Sequence, residues 1–165
     1  MPSMDIDEPL VSVIMGAFNE ETHISSAIDC ILNQEFTNFE FIIVNDGSTD
    51  NTGKIIKSYT DKRIILIEHK NRGLTASLNE GLKIARGKYI ARQDADDISY
   101  SQRFSQQVNF LEKFKAVVLL GTRAKINSHS WTSLTPVIQE RDVKKLLKTH
   151  NIFVHASVMI RASAF

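Results

Sequence analysis

Short apolar runs alternate along the chain with longer segments in which apolar residues recur every three or four positions. The runs are rich in β-branched residues and read "LVSVIMG" (10–16), "FEFIIVN" (39–45), "RIILIEH" (63–69) and "KYIARQD" (88–94). Nearly continuous apolar runs of this length favour strands that are covered on both faces, as in a parallel sheet. The segments 22–34 and 74–86 carry the apolar stripe of amphipathic helices. The alternation predicts an α/β fold built from βαβ units.

Further elements follow from the same pattern. Turn-forming residues at 46–52 precede a short predicted helix over 53–60. Gly87 is predicted to end the helix at 74–86 in a left-handed conformation. The rest of the chain predicts helices at 101–114 and 140–149, strands at 116–122 and 155–161, and irregular structure at 123–139. A length of 165 residues, without a linker or repeat, predicts one domain over 1–165.

Composition narrows the class of protein. Hydrophobic residues make up 42% and charged residues 24%, as in ordinary globular proteins. The 20 Lys and Arg nearly balance the 19 Asp and Glu, so we expect no nucleic-acid partner. The single cysteine, Cys30, cannot form an intramolecular disulfide and is predicted to belong to the core. Without a signal peptide or an apolar run long enough to span a membrane, the expected location is the cytoplasm.

Polar residues follow three of the predicted strands. "GAFNEE" (16–21) follows the first, "NDGSTD" (45–50) the second, and "DADD" (94–97) the strand at 88–93. Ligands of open α/β sheets usually bind outside the carboxyl ends of the strands. A single aspartate at such a position is most often a helix cap. Three polar strand ends that face one crevice favour a ligand site instead.

The carboxylates at 94–97 are unusually crowded. Asp94 and Asp96 form a D-x-D pair, and Asp97 follows directly. Like charges at the end of a buried strand repel and are poorly solvated, but a hard divalent cation between them removes that cost. Mg²⁺ and Mn²⁺ prefer oxygen ligands and share them with substrate phosphates. The alternatives are an ordinary turn for the D-x-D pair and a helix cap for Asp97.

Three stretches resemble glycosyltransferase family 2. They are "VSVIMGAFNEETHISSAIDCILNQEFTNFEFIIVNDGSTDNT", "NRGLTASLNEGLKIARGKYIARQDADDIS" and "HNIFVHASVMIRASAF". The similarity covers most of residues 10–105 and resumes near 150. It implies a GT-A fold, which is a Rossmann-like, mostly parallel sheet flanked by helices. It also implies that residues 1–165 form the donor-binding portion of a domain whose acceptor-binding part is absent.

The resemblance also implies roles for individual residues. Ala17 and Phe18 would line the base pocket, with Phe18 on uracil where the family often has Tyr. Glu20 matches the acidic residue of the same turn, and Asp46 would accept a hydrogen bond from an imide-type N–H of the base. The remaining assignments are Arg72 near the nucleoside or phosphates, Asp94 on the ribose side and assisting the metal, and Asp96 as the direct metal ligand.

Two further features keep two interpretations each. His155 is either a core histidine or a neighbour of the metal or diphosphate, because a neutral imidazole can coordinate such ions. The basic helix face in "RDVKKLLKTHN" (141–151) is either solvated or in contact with anionic lipid at the inner face of the cell membrane. Peripheral membrane association is therefore the second interpretation of that helix.

The implied activity is an inverting, Mn²⁺- or Mg²⁺-dependent transfer of a sugar, with UDP-sugar as the expected donor and a glycan or lipid-linked glycan as the acceptor. The catalytic base is expected beyond Phe165, so we expect this stretch to bind the donor and to transfer sugar poorly. We also expect its apolar edge to favour self-association. The alternatives are an inactive nucleotide-sugar-binding module and a nucleotidyltransferase, which would need a Gly-rich phosphate loop that "GAFNEE" lacks.

Overall fold

In the computed structural model, residues 8–125 and 153–165 are described, and they form a sheet flanked by helices. The strands are β1 (Val11–Ala17), β2 (Phe39–Asn45), β3 (Ile64–Glu68), β4 (Tyr89–Arg92), β5 (Leu119–Leu120) and β6 (Met159–Arg161). The α-helices are α1 (Ile24–Leu32), α2 (Thr52–Ser58), α3 (Leu74–Ile84) and α4 (Arg103–Lys113). The predicted alternation of strands and helices through residue 94 is confirmed.

The sheet is mostly parallel, as predicted. Its strand order is β3-β2-β1-β4-β6-β5 in the described part of the chain. Strands β1 to β4 pair in parallel, whereas β6 runs antiparallel to both β4 and β5. Since β2, β1 and β4 are neighbours with the same direction, their carboxyl ends meet at one edge of the sheet. The loops that follow these three strands therefore lie side by side.

The main core lies between the sheet and helices α1, α2 and α4. Alternate residues of β1 point into it, and α1 contributes the apolar stripe that its sequence predicts. Helix α3 covers the other face of the sheet, where Gly81 lies against Ile14 and Ile42. Burial of apolar side chains on both faces is the main source of stability in such a layered fold. The Cys30 side chain is partly buried and packs against the main core, in agreement with the prediction.

The predicted role of Gly87 is wrong. Helix α3 ends at Ile84, Ala85 is already extended, and the positive-φ glycines of the described chain are Gly47 and Gly73. Gly87 is needed for another reason, since a Cβ on it would lie 2.4 Å from the backbone nitrogen of Ser12. Its N–H also donates to the Ser12 hydroxyl at 2.8 Å. The glycine thus permits a close approach between two backbone segments.

The two strands predicted near the C-terminus are shorter than expected. Only Leu119–Leu120 of the run 116–122 pairs in the sheet. In the run 155–161, His155–Ser157 form a 3₁₀ turn and the strand begins at Met159. The N–H and the hydroxyl of Ser157 both donate to the Val154 carbonyl, which closes the turn. The predicted helix at 140–149, its basic face and nearly all of the irregular region at 123–139 lie outside the described residues.

Candidate functional site

The loops that follow β1 and β2, at the carboxyl edge of the sheet, are joined by hydrogen bonds that involve side chains. Asn19, in a left-handed conformation with φ 54°, accepts the Thr49 N–H through its side-chain oxygen at 2.8 Å. Its own N–H donates to Ser48 Oγ at 3.1 Å. The Glu20 N–H donates to Thr52 Oγ1 at 2.8 Å. The loop after β1 is therefore fixed against the loop after β2, and both present a defined surface.

The predicted base-pocket residues lie at this edge in different environments. Ala17 is buried, and its carbonyl accepts the Asp46 N–H at 2.8 Å. The Phe18 side chain is 44% exposed, so it is not a core residue and can stack on a planar ligand. Leu74 is also exposed, and its Cδ1 packs so closely on Gly16 of β1 that a Cβ there would lie only 2.9 Å away. The carboxylate of Glu20 lies 3.2 Å from His23 Nδ1.

Asp46 is buried and organises the loop that carries the "NRG" sequence. One of its carboxylate oxygens accepts the Arg72 N–H and the other the Gly73 N–H, each at 2.8 Å. Gly73 has a φ of 85°, a conformation that favours glycine. The Arg72 guanidinium instead lies 3.4 Å from Glu80 on α3 and is half exposed. Asp46 thus positions the backbone of this loop, and the Arg72 side chain pairs with Glu80.

His69 is a neighbour of Asp46 that the sequence did not single out. Its Nδ1 lies 2.8 Å from the Lys70 carbonyl and 3.2 Å from Asp46 Oδ1. Because a carbonyl only accepts hydrogen bonds, Nδ1 carries a hydrogen and is the donor. Nε2 lies 3.5 Å from the hydroxyl of buried Ser77. The separation of His69 and Asp46 along the chain matches neither the helix nor the strand period, so no sequence pattern pointed to this contact.

The acidic turn, residues 94–99, follows β4 at the same edge. One carboxylate oxygen from each of Asp94, Asp96 and Asp97 lies within 4.8 Å of the other two. Asp97 is not a helix cap, since α4 starts at Arg103 after Gln102. Burial, with repulsion from Asp94 and Asp96, raises the pKa of Asp97. Three oxygen ligands at this spacing suit a hard divalent cation better than a softer transition metal.

Two buried side chains, those of Gln93 and Arg103, hold the acidic turn in place through hydrogen bonds. The Gln93 amide donates to the carbonyls of Asp94 and Asp97 at 3.1 and 2.8 Å. The Arg103 guanidinium donates to the Arg92 carbonyl at 2.7 Å and to the Ser99 hydroxyl at 2.8 Å. Burial lowers the pKa of Arg103 to about 10, so it stays charged at neutral pH. The turn is therefore attached to β4 and α4 through side chains.

His155 and a cleft adjoin this turn. Partial burial, and after it the charge of Arg92, lowers the pKa of His155, which favours the neutral imidazole. His155 is exposed, which argues against the core interpretation. A cleft of about 720 Å³ begins at Asp96 and Asp97 and extends along α4 to Ser157. Space for a ligand larger than a metal ion thus lies beside the carboxylates.

Comparison with known proteins identifies the class. The sequence model of the family described as glycosyl transferase family 2 matches residues 12–165, so the chain belongs to this family. It is 39% identical to "Putative glycosyltransferase EpsE" of Bacillus subtilis over 161 aligned residues. The alignment covers 95% of this chain and 58% of EpsE. It is 32% identical to the Escherichia coli enzyme WfgD, described as a UDP-Glc:alpha-D-GlcNAc-diphosphoundecaprenol beta-1,3-glucosyltransferase, over 89% of this chain and 58% of WfgD. The chain thus spans little more than half the length of these relatives.

A solved structure confirms the fold. S. aureus TarS 1–349 in complex with UDP-GlcNAc superimposes with a TM-score of 0.73 at 23% identity, over 93% of this chain and 45% of that one. At this identity the likeness establishes the GT-A fold. The fold predicted from the sequence resemblance is therefore confirmed. No helix in the described ranges 8–125 and 153–165 is long and apolar enough to cross a membrane.

Proposed function

We propose that this chain binds the nucleotide-sugar donor of an inverting, metal-dependent glycosyltransferase. The observation that carries the proposal is the arrangement at one edge of the sheet. Half-exposed Phe18, buried Asp46 and the acidic turn follow three neighbouring parallel strands, β1, β2 and β4. One end of this row suits a planar base and the other a cation. A nucleoside diphosphate sugar carries a base at one end and a diphosphate near the other, and so matches both.

The base end favours uracil. Asp46 Oδ1 faces the Arg72 N–H and His69 Nδ1, whereas Oδ2 accepts only the Gly73 N–H and retains a second acceptor position. That position suits the imide N–H of uracil, and Phe18 offers a ring face for stacking. Ala17 would line the same pocket and Glu20 its outer rim. The names of WfgD and of the TarS complex, which contain UDP-Glc and UDP-GlcNAc, support a UDP-sugar donor.

The acidic end suits a divalent cation. We assign Asp96 as the direct ligand of Mn²⁺ or Mg²⁺, with Asp94 assisting it and lying towards the ribose. When bound, such a cation would stabilise the departing diphosphate as a Lewis acid. Arg72 is half exposed and lies in the loop held by Asp46, so its cationic side chain is available to the nucleoside or phosphates. Neutral His155 would lie near the diphosphate.

The transfer itself is proposed to invert the sugar. An acceptor hydroxyl attacks the anomeric carbon opposite the diphosphate while a carboxylate base removes its proton. The family resemblance predicts this base beyond Phe165. The lipid-linked acceptor in the name of WfgD supports a lipid-linked glycan as the acceptor here. Family membership argues against a nucleotidyltransferase, and an inactive binding module is the remaining alternative.

Calorimetry with UDP and ADP in the presence of Mn²⁺ tests the donor assignment. We expect UDP to bind more tightly than ADP. Adenine has no ring N–H on its pairing edge, so it leaves the second acceptor position of the Asp46 carboxylate unpaired. An unpaired buried acceptor costs about 1–3 kcal/mol, or roughly 5- to 150-fold in affinity. UMP and AMP serve as matched ligands without the diphosphate. Equal affinities for UDP and ADP would contradict the role of Asp46 and Phe18.

Variants of His69 test whether Asp46 must be held in place. The amide nitrogen of Asn can occupy the position of Nδ1, whereas that of Gln lies nearer the position of Nε2. We expect His69→Asn to keep its UDP affinity within about threefold. His69→Gln should lose up to about tenfold, because it removes the Nδ1–H that bonds the Lys70 carbonyl and lies beside Asp46 Oδ1, and a typical hydrogen bond contributes about 0.5–1.5 kcal/mol.

The measurement is UDP affinity, with thermal unfolding of both variants as the control for folding. Equal loss in both variants would mean that the ring of His69 fills space and does not orient Asp46.

A further inference from the structure

Arg92, the last residue of β4, is buried, and two of its three guanidinium nitrogens have no hydrogen-bond partner in the described part of the chain. Its Nη2 forms an ion pair with Asp94 Oδ1 at 2.5 Å, and its side chain is only 8% exposed. Nε and Nη1 have no hydrogen-bond partner among residues 8–125 and 153–165. Buried donors are nearly always satisfied, and each unsatisfied one costs about 1–3 kcal/mol. The two unpaired nitrogens of Arg92 lower the stability of the fold, so a purely structural role does not explain why an arginine is buried here.

Arg92 supplies the ion pair of the acidic turn. One carboxylate oxygen from each of Asp94, Asp96 and Asp97 lies within 4.8 Å of the other two, so their negative charges repel one another. The second buried arginine, Arg103, makes its described hydrogen bonds to neutral oxygens of side chains and carbonyls. The described ion pairs thus give this cluster a single direct cationic partner, the Arg92 guanidinium.

A guanidinium and a divalent cation compete for the same carboxylate. Both relieve the repulsion among the three aspartates, and Arg92 already occupies Asp94 Oδ1. A positive charge next to a ligand disfavours the arrival of another positive charge. A charge within 4–6 Å commonly shifts proton binding by one to three pKa units, or tenfold to a thousandfold. A divalent cation experiences at least a comparable penalty.

We propose that Arg92 is a positioning residue that takes the place of the divalent cation on Asp94 while the donor is absent, so that the cation binds together with the donor. This inference rests on the proposed function. It adds that the charge of Arg92 partly neutralises the acidic turn, so that the turn binds a cation only weakly without the donor. The diphosphate brings the negative charge that offsets Arg92. Because Nε and Nη1 have no partner, displacing Arg92 from Asp94 leaves a buried charge without compensation, a cost that the cation alone must pay and that the diphosphate reduces.

The test is Mn²⁺ affinity of the folded protein, measured by electron paramagnetic resonance and calorimetry with and without UDP. Arg92→Gln should bind Mn²⁺ about tenfold more tightly than the wild type without UDP, since the competing charge is gone. The increase in Mn²⁺ affinity caused by UDP should shrink by the same factor. Arg92→Lys keeps the charge and should stay close to the wild type. Lys83→Gln, at the end of α3, removes an exposed positive charge and should change nothing.

A second pair of variants covers the case in which Arg92→Gln does not fold. Asp94→Asn leaves Arg92 charged beside Asp96 and Asp97, whereas the double variant Asp94→Asn with Arg92→Gln removes both members of the pair. Removing both members of a buried pair is often tolerated. The double variant should bind Mn²⁺ more tightly than Asp94→Asn alone. A merely structural arginine would not produce a gain of metal affinity when it is removed.

The outcomes separate this inference from the proposed function. Unchanged or weaker Mn²⁺ binding by Arg92→Gln, and by the double variant relative to Asp94→Asn, overturns the role of Arg92 but leaves UDP-dependent Mn²⁺ binding intact. If the wild type binds no Mn²⁺ even with UDP, the metal-dependent donor site itself fails and the role of Arg92 fails with it. Tighter binding in the variants, with Arg92→Lys unchanged, supports the inference.

Discussion

Asp96→Ala should remove the effect of Mn²⁺ on UDP binding. The wild type is expected to bind UDP more tightly with Mn²⁺ than in EDTA, because the cation connects the acidic turn to the diphosphate. Asp96 is exposed at the tip of this turn, so its replacement creates no cavity and relieves repulsion on Asp94 and Asp97. The loss with Mn²⁺ should reach at least about tenfold, since even residues that only support a metal ligand contribute 10- to 100-fold.

Asp97→Ala is the matched control. It removes the same charge from the same turn, one residue away, and it should keep most of the Mn²⁺ effect. Calorimetric titration of UDP into both variants, with Mn²⁺ and with EDTA, makes the comparison. If Asp97→Ala loses the Mn²⁺ effect and Asp96→Ala keeps it, the ligand has been assigned to the wrong residue. If the wild type has the same affinity in EDTA, the acidic turn does not bind a cation with the nucleotide.

Local patterns were sufficient to predict the frame of the fold. The continuous apolar runs gave β1 to β4 to within one or two residues, because strands buried on both faces leave few polar positions. The stripe of α1 likewise follows from one-sided burial. Polar residues after β1, β2 and β4 could be placed at a common edge, since parallel neighbours end on the same side. These features depend on residues that are close in sequence.

The errors have a different physical origin. Glycine serves both for a left-handed turn and for a close approach, and Gly87 serves the second purpose against Ser12. The run at 155–161 is apolar enough for a strand, but hydrogen bonds from Ser157 to Val154 close a turn at its start. In both cases a contact that no periodicity encodes decided the conformation.

The side chains that hold the carboxylates in place could not be predicted from sequence patterns either. Arg92 and Arg103 lie within an apolar strand and a helical stripe, where arginine is ordinarily placed at the surface. His69 reaches Asp46 across 23 residues of sequence. The carboxylates could be predicted because their crowding is visible in one short stretch. The cations and donors that hold them come from other elements, and only the folded chain brings them together.

Arg103→Met should both destabilise the fold and loosen the acidic turn. Two opposing effects determine the size of the change. Removing a buried charge is favourable, and the pKa of about 10 against an ordinary 12.5 corresponds to a charging cost of roughly 3 kcal/mol. Against this, the Arg92 carbonyl and the oxygens of Ser99 and Gln107 lose the donor that Arg103 provides, whereas Gln93 keeps the Ser99 hydroxyl and the Val158 carbonyl keeps the Arg92 N–H. At about 2 kcal/mol for each of these three stranded acceptors, the loss prevails, and we expect a net destabilisation of about 2–4 kcal/mol.

Arg161→Met is the matched control for the local effect. Arg161 also donates to backbone carbonyls, those of Val117, Leu111 and Phe114, and so holds α4 to the sheet at the end away from the acidic turn. Urea unfolding should show that both variants are less stable. Hydrogen exchange of the amides of residues 97–99 should accelerate only in Arg103→Met, which should also weaken UDP binding with Mn²⁺. If both variants lose stability but neither changes exchange in the turn, Arg103 stabilises the domain without positioning the carboxylates.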